Sequence, residues 1–94
     1  MNKQKLKFLR SLAHERKPYI WIGQHGLTEA VIEELQKALD QHELLKIKLR
    51  VGDRDERDKV CDDICDKCDA VLIQKIGNTA TVFRANKETP VIQF

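Results

Sequence analysis

At 94 residues, with a net charge of +2, 41% apolar and 34% charged residues, the chain is sized for one domain with a modest core. That balance excludes a disordered chain, and no apolar run approaches the ~18 residues of a membrane span. The charges threaded through the first ten residues leave no apolar signal segment, and three cysteines, an odd count, suit free thiols, so a cytoplasmic protein is expected.

Residues 3–16 carry Leu6, Leu9, Leu12 and Ala13 at helical spacing, with Lys3, Lys5, Lys7 and Arg10 around the turn. This is an amphipathic helix, closed by Lys17-Pro18 because a residue before proline leaves the α region. Tyr19 to Ile22 reads as a short strand, rich in aromatic and β-branched residues. Tyr19 and Trp21 point to the same side of it, and at least one of them is expected in the core.

Gly23-Gln24-His25-Gly26 follows as a glycine turn, and Leu27-Thr28-Glu29 opens a second helix, with Thr28 as its N-cap. Such a turn aims backbone N–H groups and a helix N-terminus at solvent, where an anion is the natural visitor. A plain structural turn is the alternative. The second helix buries Ala30, Val31, Leu35, Ala38 and Leu39 and runs to about His42.

Leu45 to Val51 alternates strictly, with Leu45, Ile47, Leu49 and Val51 on one face and Lys46, Lys48 and Arg50 on the other. Gly52-Asp53 breaks this strand. A third helix starts at Asp55 or a neighbour, with Val60, Cys61, Ile64, Cys65 and Cys68 as its stripe. Residues 70–76 and 80–85 are strands joined at Gly77-Asn78, a tight-hairpin pair, and residues 86–94 read as a tail. The whole chain, 1–94, is a single α+β domain of order α-β-α-β-α-β-β. Its four-stranded mixed sheet should carry helices mainly on one face, leaving the basic row on the open part of the other.

The Cys61-x3-Cys65-x2-Cys68 spacing matches the one radical-SAM enzymes use to hold iron–sulfur clusters, and a metal or redox protein is one reading. One helix face interleaved with Val60 and Ile64 favours buried thiols instead, so no metal and no cofactor are expected. His14 and His42 fall near helix ends, where the dipole suits a partly charged ring. No catalytic triad or carboxylate pair is legible, so neither an enzyme nor a small-molecule substrate is expected. Charge is uneven: residues 1–50 hold 10 Lys/Arg against 6 Asp/Glu, and residues 51–94 hold 7 against 9. A basic face on a nearly neutral domain suits a polyanion.

Leu12-Ala13-His14, Lys17-Pro18, Ile22 through Glu29, Ala38-Leu39, His42 through Lys48, and Arg84 with Lys87-Glu88 together resemble the CRM domain (chloroplast RNA splicing and ribosome maturation). The stand-alone bacterial, YhbY-like form is the nearer likeness, and it covers Lys3 to Glu88. The set G-x-x-G-L-T-E followed by H-E-L-[IL]-K-[VI]-K carries it. The resemblance implies a KH-like GxxG loop on a fold similar to the C-terminal domain of a bacterial translation initiation factor. It also implies RNA binding, to ribosomal RNA in precursors of the large subunit, and in plant relatives a part in group II intron splicing. The RNA-binding residues are then expected to be Gly23, Gln24, His25, Gly26, Leu27, Thr28, Lys46, Lys48, Arg50, Arg84 and Lys87, in a monomer without membrane attachment. The loop centre, Gln24-His25, carries no Lys or Arg, so phosphate there would rest on backbone amides and a titratable ring. The alternative is a module that binds an assembly factor through the open sheet face and Trp21.

Overall fold

The computed structural model describes residues 2–92, so the last two positions of the expected tail lie outside the described residues. The elements are α1 (Lys3–His14), β1 (Ile20–Ile22), α2 (Glu29–His42), β2 (Leu44–Leu49), α3 (Arg54–Cys68), β3 (Val71–Ile76) and β4 (Thr79–Phe83). Each helix begins on a side-chain oxygen that accepts an otherwise unpaired amide. Asn2 accepts from Lys5 (2.8 Å), Thr28 from Val31 (3.2 Å) and Asp53 from Glu56 (3.0 Å). At its far end α3 closes on Asp69, at φ 52°, whose N–H donates to the Cys65 carbonyl.

The strands lie in the order β1-β2-β4-β3, with β1 parallel to β2 and the other two pairings antiparallel. Alternation along β2 turns Leu45, Ile47 and Leu49 toward α2 and α3, where they meet Ile20, Ile22, Leu35, Leu39, Ile64, Ala80 and Val82. Each such fully buried Leu or Ile contributes roughly 2 kcal/mol. A second, smaller core forms on the opposite face, where Leu9 and Ala13 of α1 pack with Leu44, Ile73, Phe83 and Ile92. A register shift between Leu72 and Gln74 inserts Ile73 as an extra residue, and this bulge turns it under α1. Helices α2 and α3 therefore share one face, while α1 covers only part of the other.

Residues 86–92 are held more firmly than a tail. Ile92 is buried, and Asn86, Val91 and Ile92 donate their backbone N–H groups to the Glu43 carboxylate. Among the described residues no helix is long and apolar enough to cross a membrane.

The three cysteines lie in a row on α3. Cys61 and Cys68 are 1% exposed and Cys65 is half-buried. Burial, seconded by the neighbouring Cys65 thiol and the Asp62 carboxylate, pushes the Cys61 thiol up to about 12; burial raises the other two as well. The thiolate is the reactive form, so iodoacetamide at pH 8 should leave Cys61 unlabelled in the folded protein and label it in urea. Prompt labelling of folded Cys61, read by mass spectrometry, would contradict this packing.

Candidate nucleic-acid interface

The GxxG loop begins where Ile22, fully buried, gives way to exposed Gly23, Gln24 and His25. The Gly26 N–H donates to the Gly23 carbonyl at 3.0 Å, closing the turn. Gly26 sits at φ +68°, a left-handed conformation that favours glycine. Gly23 is different: it needs no positive φ, and a Cβ built there would meet nothing within 4 Å. Neither backbone geometry nor internal packing asks for a glycine at 23, so its bareness leaves room for an approaching backbone from outside. Leu27 is half-buried against the main core. Thr28 is committed to the fold twice, its hydroxyl capping α2 and its N–H donating to the Gly26 carbonyl at 3.2 Å.

Beside the loop, strand register aligns Trp21, Lys48, Thr79 and Ile76 in one line across the sheet. Its far half, Thr79 and Ile76, borders a cleft at the last turn of α1. Trp21 is 63% exposed and Ile76 60%. Arg50, just past β2, donates its N–H to the Ile22 carbonyl at 2.7 Å, and its guanidinium stands over the Trp21 ring, 4.9 Å from the centroid. Tyr19 is also exposed and lies 4.9 Å from the His42 ring. The expectation that Tyr19 or Trp21 would be core is thus corrected: Ile20 and Ile22 take the inward positions, and α1 sits over the other strands.

The basic row expected to act together is divided. The Lys46 ammonium donates to the carbonyls of Arg16 (3.1 Å) and Ala13 (3.4 Å), closing off the end of α1 as cations at helix C-termini do. It borders a cleft of about 160 Å³ shared with His14, Gln74 and Thr81. Arg84 follows β4 at the opposite end of the sheet from the loop, and its guanidinium spans Gln36, Asp40 and the Cys68 carbonyl. Lys87 is exposed near it. The length of β2, ~17 Å at a strand's rise, separates this pair from Arg50. What the fold brings to one place is Gly23 to Gly26, Lys48 and Arg50.

Three cations join that end without having been anticipated. Arg54, Arg57 and Lys75 line a cleft with Gly77 of the hairpin, and the hairpin is tied alongside by the Leu49 N–H donating to the Asn78 carbonyl. Lys75 pairs with Asp58. In the sequence these arginines sit among Asp53, Asp55, Glu56 and Asp58, whose opposite charges mask them. Their spacing of three on a helix was the available signal.

Residues 1–84 match the CRS1/YhbY (CRM) domain family. A protein of Pseudomonas aeruginosa named as a probable RNA-binding protein is 38% identical over 86 residues, covering 92% of this chain and 83% of the relative. A Haemophilus influenzae protein named as an RNA-binding protein is 36% identical over 89 residues, covering 95% and 89%. The solution structure of a hypothetical Staphylococcus aureus protein, described in connection with RNA binding, superposes with a TM-score of 0.82 at 27% identity, covering 99% of this chain and 97% of that one. With its α-β-α-β-α-β-β order, its GxxG loop and a family match running from residue 1 to 84, the chain belongs to the CRS1/YhbY (CRM) domain family.

Proposed function

We propose that this protein binds RNA through the GxxG loop and the cations beside it, without catalysis, as a cytoplasmic monomer. The observation that carries this reading is Gly23, a bare and open backbone position that the free protein does not require, flanked by Lys48 and Arg50. A phosphate approaching there meets loop amides at close range and two cations whose counterions it displaces. The relatives named as RNA-binding proteins support the ligand class. The resemblance to YhbY-like proteins supports ribosomal RNA, in precursors of the large subunit, as the RNA concerned. In this reading Lys46 and Arg84 act through the fold, and Lys87 is at most a remote electrostatic contributor.

Replacing Gln24 and His25 together by aspartate tests the loop. Both side chains are exposed, so the melting temperature should hold. Two carboxylates would face the phosphate, and affinity for RNA should fall at least tenfold, about 1.4 kcal/mol. Parental affinity in the double variant would remove the loop from the interface. Crosslinking in cells with sequencing of the bound RNA tests the ribosomal part, which fails if large-subunit RNA is not enriched.

A further inference from the structure

Trp21 has no structural reason to be in water. Its neighbours Ile20 and Ile22 are 3% and 0% exposed, so alternation places the indole on the opposite face. Helix α1 packs on that face but over Leu44, Ile73 and Phe83, leaving most of the ring uncovered. What the fold does supply is charge: Arg50 over the ring, Lys48 beside it in register, and the glycine loop beginning two residues later. A protein partner covering the indole would have to desolvate both cations. A nucleotide satisfies both demands, its base stacking on the indole and its phosphates meeting the cations.

We propose that Trp21 is a stacking platform for one unpaired nucleobase, with Arg50 sharing the ring, so that the RNA is single-stranded where it passes the GxxG loop. Inside a duplex both faces of each base are already stacked and the ring could not reach them. This inference rests on the RNA-binding reading above and narrows its ligand to single-stranded RNA.

Trp21 is the chain's one tryptophan, so its emission reports on this site alone. The full chain is titrated with a short unstructured oligoribonucleotide and with a long blunt-ended RNA duplex, whose open end pairs are few. Binding is followed independently by the anisotropy of a dye on the RNA. The single strand is expected to quench Trp21, and the duplex to leave the emission unchanged. Trp21→Ala should weaken single-strand binding on the order of tenfold and duplex binding little, and Trp21→Phe should recover most of the loss. Melting curves of both variants confirm that the fold is intact. Equal quenching by the duplex overturns the single-strand assignment. Binding of the single strand with unchanged emission and parental affinity in Trp21→Ala overturns the platform while leaving RNA binding standing. No anisotropy change with either RNA would overturn the RNA-binding reading and this inference with it.

Discussion

Glu43→Ala is expected to cost about 3–5 kcal/mol of unfolding free energy. Glu43 is only 2% exposed. Its carboxylate accepts from the backbone N–H groups of Asn86 (2.6 Å), Val91 (2.7 Å) and Ile92 (2.5 Å). Its own N–H donates to the Leu39 carbonyl, and its carbonyl accepts from the Arg84 N–H. One residue therefore joins the end of α2, the start of β2, the exit of β4 and the closing segment. It does so at φ 61° and ψ −46°, a sparsely populated conformation costing on the order of 1–3 kcal/mol, held in place by these bonds. Alanine leaves three amides without their acceptor and frees Ile92 from the core beneath α1.

The same carboxylate gives the protein an acid limb. Burial pushes its pKa up, but the amides of Ile92, Asn86 and Val91 outweigh that and hold it below its ordinary value of 4.5. A group depressed in the folded state stabilises fully above its unfolded pKa, and that contribution is lost as pH falls through the folded value. Urea denaturation at a series of pH values should show parental stability dropping below about pH 4.5, with a flatter limb in Glu43→Gln. A Glu43→Ala protein as stable as the parent at pH 7 would mean that residues 86–92 are not anchored here.

Arg84→Met should cost about 2–4 kcal/mol. The guanidinium donates to the Cys68 carbonyl at 2.9 Å, the Gln36 carbonyl at 3.1 Å, the Asp40 carboxylate at 2.7 Å and the Gln36 side-chain oxygen. Cys68 ends α3, so a cation there also meets the negative end of that helix. The fork clamps α2 to α3 across β4, and its side chain is only 20% exposed. Arg84→Lys should recover little, because a single ammonium cannot reproduce a planar fork between two helices. RNA affinity, measured well below the lowered melting temperature, should stay near parental. A variant with full stability and weakened RNA binding would return Arg84 to the interface.

Much of what a few neighbouring residues set was legible in the sequence, although Ala30, expected in the buried stripe of α2, is exposed. The apolar spacing of Leu6, Leu9 and Ala13 marks α1, and Thr28 caps α2 as its hydroxyl position suggests. Strict alternation marks β2, Gly77-Asn78 marks the hairpin, and the glycines at 23 and 26 mark the loop. Helix period, strand period and turn chemistry act within one or two turns of chain, so the order of elements follows from the residues themselves.

The side of the sheet on which each charged or aromatic residue finds work is another matter. That Lys46 closes α1, that Arg84 bridges α2 and α3, that Glu43 gathers residues 86–92, and that Trp21 stays in water beside Arg50 all depend on strand order and on where α1 lands. A lysine on a strand reads the same whether its ammonium meets solvent or a helix end brought from 30 residues away. Only the long-range placement of α1 against the paired strands distinguishes the two, because it decides which backbone carbonyls lie within a hydrogen bond's reach of Lys46.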